Sequence, residues 1–215
     1  MIRVRVKFCG ITSARDAEKA VAVGADALGF VFFKESPRYI SPKDAGDIIR
    51  RLPPYVSAVG VFVNEDLGFI EECVERYGLN AVQLHGDEDV KYCLGFKSLR
   101  FKGIKLIKAI RVKDKESLDS IEECPADAFL LDAYISSVYG GTGKGFDRTL
   151  AVLAKEYDRR IIISGGLTSD NVYDIVKEIR PYAVDVSSGI ESSPGKKNVE
   201  LMEEFIKEVR RAEED

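Results

Sequence analysis

The sequence of 215 residues holds a single histidine, His85, and four cysteines that form no CxxC pair. One histidine excludes a zinc site built from several imidazoles. The spacing of the cysteines (Cys9, Cys73, Cys93 and Cys124) matches no metal-ligand motif. We therefore predict no bound metal, and we interpret the three cysteines in helical stretches as buried apolar side chains.

Long apolar runs and an excess of positive charge are also missing. No run reaches the roughly 20 residues that span a bilayer, and the first ten residues lack the apolar stretch of a signal peptide. The formal net charge is -4, which favours neither nucleic acid nor an anionic membrane surface as a partner. We expect a cytoplasmic protein in which any anion is held by a local site.

Short apolar runs alternate with longer stretches of helical periodicity along the whole chain. The predicted strands cover residues 3–9, 27–32, 57–63, 81–84, 105–110, 128–132, 160–164 and 183–187. The predicted helices cover residues 13–23, 42–52, 66–77, from about 87, 115–123, 147–157, 169–179 and from 197 to the end. Strict alternation indicates right-handed βαβ units and a parallel sheet. We predict one (β/α)8 TIM barrel over residues 1–215; the alternative, an open doubly wound sheet, leaves two edges to cover.

Polar side chains interrupt these strands mainly at their C-terminal ends. They are Lys7 and Cys9 on strand 1, Asn64 after strand 3, Gln83 and His85 on strand 4, Asp132 on strand 6, and Asp185 and Ser187 on strand 8. Within each strand they are in phase, so they share the face that points into a barrel. One such residue can be an ordinary turn residue, but several at one rim indicate an active site.

Two glycine-containing turns follow strands 7 and 8, namely residues 164–167 (SGGL) and 187–190 (SSGI). In TIM barrels these loops often bind a phosphate group through backbone N–H groups. We therefore predict a phosphate site at Gly165, Gly166, Ser188 and Gly189, although tight turns that need positive φ explain the glycines equally well one by one.

The glycine-rich segment 140–145 (GGTGKG) lacks the spacing of a P-loop. It suits either a lid that excludes water or a plain surface loop.

Cys9 and Asp132 end strands far apart in the ring, so they can face each other across the mouth. A thiolate and a protonated carboxyl group form a usable base and acid. We expect Lys7 to lower the pKa of the Cys9 thiol, and an apolar mouth to favour the protonated form of Asp132. An inert core thiol and a strand-end cap are the alternatives. Cys9 as a nucleophile would need His85 as its base, and strand 4 lies away from strand 1.

Seven segments, in order along the chain, resemble the phosphoribosylanthranilate isomerase family. They are residues 7–12 (KFCGIT), 36–38 (SPR), 83–86 (QLHG), 140–143 (GGTG), 164–167 (SGGL), 186–191 (VSSGIE) and 194–197 (PGKK). One departure is Arg148, where the family often has tryptophan after Phe-Asp.

The resemblance implies a (β/α)8 barrel and an Amadori rearrangement of N-(5-phosphoribosyl)anthranilate to 1-(2-carboxyphenylamino)-1-deoxyribulose 5-phosphate in tryptophan biosynthesis, without cofactor or metal. By similarity, Asp132 is the general acid and Cys9 the base. Arg38 holds the anthranilate carboxylate, the glycine turns hold the phosphate, and Gln83, His85 and Asp185 line the pocket. The small-molecule substrate is the implied partner, and the chain can be a monomer or a homodimer.

Two rival functions stay open at this point. An aldolase that forms a Schiff base would need an interior lysine, for which Lys108 is the main candidate. A barrel that binds a phosphosugar without catalysis would not need both Cys9 and Asp132.

Overall fold

The computed structural model describes residues 3–99, 103–132 and 148–214. Within them, eight parallel strands close into a barrel in chain order, and β8 pairs with β1. The predicted (β/α)8 barrel is therefore confirmed, and no open edge remains. The strands are β1 Arg5–Cys9, β2 Ala27–Val31, β3 Ser57–Phe62, β4 Ala81–Leu84, β5 Lys105–Arg111, β6 Ala128–Asp132, β7 Ile161–Ser164 and β8 Ala183–Val186.

Helices follow the strands and surround the barrel. They are α1 Ala14–Ala22, α2 Pro42–Ile49, α3 Leu67–Tyr77, α4 Val90–Ser98, α5 Ser120–Glu123, α6 Arg148–Ala154, α7 Ser169–Ile179 and α8 Val199–Glu214. Side-chain caps set several of their starts: Ser13 accepts a hydrogen bond from the N–H of Asp16 at 3.1 Å, and Ser41 caps a helix that opens with Pro42. Gly78 closes α3 with φ 75°, a conformation that favours glycine.

Alternation along the strands divides the apolar side chains into two cores. Outward-facing residues such as Phe8 pack against the helices, and the Phe8 ring meets that of Phe205 in α8 edge-on at 6.2 Å. Inward-facing residues such as Val59, Ile107 and Leu130 form an apolar layer inside the barrel. This layer separates a cavity at the C-terminal end of the barrel from a second cavity at the N-terminal end.

Three expectations about the helices were wrong. Helix α4 begins at Val90 rather than near residue 87, because Asp89 caps it. The stretch predicted as one helix over 115–123 is a 3₁₀ turn, Glu116–Leu118, followed by the single turn α5. The last helix begins at Val199, because a small antiparallel hairpin, β9 Glu191–Ser193 and β10 Lys196–Lys197, precedes it.

A membrane-spanning helix is not found in the described ranges, where every helix is either too short or too polar to cross a bilayer.

Candidate active site

A cavity of about 440 Å³ opens at the C-terminal ends of the strands. It brings together nearly all the predicted site residues: Cys9, Arg38, Gln83, His85, Asp132, Gly165, Gly166, Asp185 and Ser188. Gly189 is the exception, since it lies behind the wall rather than in it. Apolar side chains of Val31, Phe33 and Val61 complete the wall. Cys9 ends β1 and Asp132 ends β6, with β7 and β8 between them on one side of the ring, and both side chains line this cavity.

Lys7 lies directly below Cys9 and forms a buried ion pair. Its Nζ donates to Oδ1 of Asp185 at 2.9 Å, and both side chains are about 95% buried. The hydroxyl of Ser164 donates to the other carboxylate oxygen of Asp185 at 3.3 Å. Because β1 and β8 pair with Lys7 opposite Asp185, the pair is built into the register of the barrel.

Lys7 favours the thiolate form of Cys9, as expected, but the pKa of the thiol is raised overall. Burial raises that pKa; the Lys7 ammonium opposes the shift, and the Asp185 carboxylate adds to it. Sequence spacing correctly placed a cation beside the thiol, but it did not reveal that Asp185 neutralises this cation. Cys9 is therefore a weakly acidic thiol, whose thiolate is a correspondingly strong base.

Gly29 makes room for this arrangement, and sequence reasoning missed it. It pairs with Cys9 across β1 and β2. A Cβ atom at position 29 would lie 2.8 Å from Cys9 Sγ and 3.1 Å from Lys7 Cε. A glycine inside a strand is the signal that points to such a close approach.

Asp132 faces His85 rather than a purely apolar surface. Its side chain is one-third exposed, and Oδ2 lies 3.3 Å from Nε2 of His85. On the other side of the ring, Nε2 of Gln83 lies 2.8 Å from Nδ1 of His85. With Nδ1 accepting from the amide, the ring presents its N–H to the carboxylate. The three side chains form one chain of hydrogen bonds from the barrel interior to the rim.

The turns after β7 and β8 form the remaining wall. Gly165 and Gly166 have φ of 90° and 68°, which L side chains rarely adopt. Ser188 begins a 3₁₀ turn, Ser188–Ile190. Gly189 supports this wall from behind, because a Cβ there would lie 1.9 Å from the carbonyl oxygen of Leu167. Backbone N–H groups at such turns suit an oxyanion.

Arg38 reaches the cavity from the loop after β2, and Glu191 holds it in a two-pronged ion pair. Its Nε and Nη2 donate to Oε1 and Oε2 of Glu191 at 2.9 and 2.7 Å. Lys197 also contacts Glu191, at 2.7 Å. Both residues occur in segments quoted above, yet the contact of Glu191 with Arg38 was not predicted, because it joins positions 153 residues apart.

Lys108 does not point into the cavity, which removes the main support for an aldolase. Its Nζ pairs with Glu88 at 2.7 Å and donates to the carbonyl oxygen of Gly86 at 2.9 Å. This contact fixes the turn that follows His85. The predicted lid at residues 140–145 lies outside the described residues.

No cluster of three or more His, Cys, Asp or Glu side chains suited to a metal ion occurs in the part of the chain that the structure describes. The residues that line the cavity instead offer hydrogen-bond donors, a thiol and a carboxyl group. A closed (β/α)8 barrel with such groups at its C-terminal mouth is a barrel enzyme for a small anionic ligand.

Comparison with known proteins identifies the family. Residues 6–208 match the family model for N-(5'-phosphoribosyl)anthranilate (PRA) isomerase. The isomerase of Trichlorobacter lovleyi is 48% identical over 209 residues, 97% of this chain and 99% of its own. The chain belongs to the N-(5'-phosphoribosyl)anthranilate isomerase family, and it is therefore an isomerase.

Two solved structures agree with this assignment. One is described as monomers of the dimeric enzyme of Thermotoga maritima, with a TM-score of 0.85 and 39% identity over 97% of this chain and 99% of that one. The other is a phosphoribosyl anthranilate isomerase in complex with reduced 1-(o-carboxyphenylamino)-1-deoxyribulose 5-phosphate, with a TM-score of 0.84, 41% identity and the same coverage.

Proposed function

We propose that the chain catalyses the Amadori rearrangement of N-(5-phosphoribosyl)anthranilate by general acid and base catalysis, as a step of tryptophan biosynthesis. Asp132 donates a proton to the ring oxygen of the ribose, the C1–O bond breaks, and a Schiff base forms. The Cys9 thiolate then removes the proton from C2. The resulting enolamine takes up a proton at C1 while its C2 hydroxyl group loses one, which gives the ketone product. No atom is gained or lost, so no cofactor is required.

The separation of Cys9 and Asp132 across one cavity carries this proposal. The glycine turns beside them suit the phosphate group, and the Arg38 guanidinium suits the anthranilate carboxylate. His85 contacts Oδ2 of Asp132 at 3.3 Å and so orients this carboxyl group at the cavity. The buried Cys9 thiol suits the harder task, because a thiolate of raised pKa is the stronger base for a carbon acid.

The test is a fluorescence assay with freshly generated phosphoribosylanthranilate. We expect Cys9→Ala and Asp132→Asn each to lower kcat by about 10²- to 10⁴-fold or more, the usual contribution of a general acid or base. Cys73→Ala, a buried thiol in α3, and Asp87→Asn, an exposed carboxylate after β4, are matched controls. Turnover near the wild-type rate in either of the first two variants would refute the assignment.

We also propose that the chain works as a homodimer in the cytoplasm. The biosynthetic role of the family supports the location, and the dimeric Thermotoga maritima relative supports the assembly. Tyr55 is 97% exposed beside a second cavity, of about 540 Å³, at the N-terminal end of the barrel. A bare aromatic ring next to a cavity suits a reciprocal contact between two copies. Light scattering should give twice the chain mass, and Tyr55→Ser should shift it to the single mass; a monomeric wild type contradicts the proposal.

A further inference from the structure

The hairpin β9–β10 places Glu191 against Arg38 and Lys197 against Glu191. Lys197 lies opposite Glu191 in the hairpin register. The side chain of Lys197 is fully buried and that of Glu191 is 4% exposed. Charged groups are rarely buried to this extent unless they are paired. The pair lies directly behind the cavity wall that Arg38 forms, although neither residue was predicted to belong to the site.

Every oxygen of the Glu191 carboxylate is occupied. Oε1 accepts from Nε of Arg38 at 2.9 Å and from Nζ of Lys197 at 2.7 Å, and Oε2 accepts from Nη2 of Arg38 at 2.7 Å. The N–H of Gly195 adds a bond to Oε1 at 3.3 Å. This fork takes one edge of the guanidinium group and fixes its plane, while Nη1 stays outside the fork.

Lys197 also determines the charge that the cavity experiences. A simple pair of Arg38 with Glu191 would be neutral and would attract an anion weakly. The second buried cation leaves two positive charges and one negative charge in the cluster, so the wall keeps a net positive charge. Lys197 is tied down further by donating to the carbonyl oxygen of Ser187 at 3.1 Å, next to the predicted phosphate turn.

The backbone around Arg38 is adapted to this one orientation. Gly10 has φ 79°, and a Cβ at that position would lie 2.7 Å from Cδ of Arg38. The hydroxyl of Thr12 donates to the carbonyl oxygen of Gly195 at 2.6 Å, which attaches the tip of the hairpin to the loop after β1. The loop and the hairpin therefore hold the arginine and its carboxylate partner at a constant distance.

We infer that Glu191 and Lys197 are positioning residues, which orient Arg38 and keep its surroundings positive so that it binds the carboxylate on the aromatic ring of the substrate. The inference rests on the proposed function, because it assumes that Arg38 meets this carboxylate. Neither residue touches the reacting atoms. Their effect should thus depend on whether the ligand carries the carboxylate.

The experiment compares two ligands by calorimetry: reduced 1-(o-carboxyphenylamino)-1-deoxyribulose 5-phosphate and the same compound without the carboxylate. In the wild type we expect the first to bind about 10- to 100-fold more tightly, the value of one or two charge-assisted hydrogen bonds. In Glu191→Gln and Lys197→Met this ratio should fall toward one, while the affinity for the second ligand changes little. Lys196→Met, an exposed neighbour in β10, is the matched control and should keep the wild-type ratio.

Several outcomes would overturn the inference. Equal losses of affinity for both ligands would mean that the pair is merely structural. Wild-type affinity for both ligands would mean that the pair has no role. A larger ratio in Glu191→Gln would show that removing the negative charge matters more than orientation. Glu191→Gln is the deciding variant, because glutamine keeps the shape of the glutamate side chain. A wild type that turns over substrate but shows a ratio of one refutes this inference alone, whereas a wild type without turnover refutes the proposed function.

Discussion

Lys7 and Asp185 form an ion pair inside the barrel, and replacing either one leaves the other charge without a partner. Both side chains are about 95% buried, and the Ser164 hydroxyl is a weak substitute at 3.3 Å. Breaking a buried pair by removing one partner costs about 3–5 kcal/mol. For a chain of this size that corresponds to a fall in Tm of roughly 2–4 °C per kcal/mol. We expect Lys7→Met and Asp185→Asn both to destabilise the fold, with the isosteric asparagine at the lower end.

The same two variants should shift the pKa of the Cys9 thiol in opposite directions. Lys7→Met removes the nearest cation, so the pKa of Cys9 should rise further. Asp185→Asn removes a nearby negative charge and releases Lys7 from its partner, so that pKa should fall. Urea unfolding followed by circular dichroism measures stability. The rate of alkylation of Cys9 by iodoacetamide against pH, followed by mass spectrometry of the Cys9 peptide, measures the thiol.

If the ion pair acts as described, both variants lose stability, while the pKa of Cys9 rises in one variant and falls in the other. A shift of the thiol pKa in the same direction in both variants would refute the electrostatic reasoning. A cost below about 1 kcal/mol in both would mean that the charges reach water. The double variant Lys7→Met with Asp185→Leu is the control for burial, since replacing both ions by apolar groups should recover most of the lost stability.

Two further predictions concern Glu191 and Gly189. Burial tends to raise the pKa of Glu191, but hydrogen bonds from Arg38 and Lys197 outweigh burial and lower that pKa. The carboxylate therefore stabilises the fold at pH values above its unfolded pKa of about 4.3. This contribution disappears as the pH falls through the pKa that Glu191 has in the folded protein. The stability gap between wild type and Glu191→Gln in urea should thus shrink below about pH 4, and a gap that is constant with pH would contradict the sign. Gly189→Ala should weaken inhibition by inorganic phosphate, because its Cβ would collide with the Leu167 carbonyl, whereas a Cβ at Gly24 meets nothing within 4 Å and Gly24→Ala tests backbone strain alone. Equal phosphate inhibition constants in the two variants would exclude a role for the Gly189 contact.

Much of the barrel could be predicted because its signals are local. The bounds of β4, β6 and α7 match the predicted 81–84, 128–132 and 169–179, where alternation, helical periodicity and capping residues agree. The hairpin β9–β10 was missed because its strands are only three and two residues long. Such short strands carry no periodic pattern, and Lys196 and Lys197 are equally compatible with the start of a helix.

The candidate site, like the barrel, could be predicted only in part. Strand phase was enough to place Cys9, Gln83, His85, Asp132 and Asp185 at one rim, because side chains two residues apart share a face. The sequence did not indicate which side chains these groups contact. Asp132 meets His85 across strands that are not neighbours, and nothing in the spacing of either strand indicates that contact.

Residue order by itself determined the eight-strand barrel, the rim that carries the polar groups and the glycine turns, because each depends on patterns within about ten residues. Only the tertiary structure decided the state of those groups. Lys7 is neutralised by Asp185, 178 residues away, and Arg38 is held by Glu191, 153 residues away. Charge and burial depend on what closes around a side chain. For that reason the position of the Cys9 thiol came from the sequence, whereas its weak acidity and the orientation of Arg38 came from the fold.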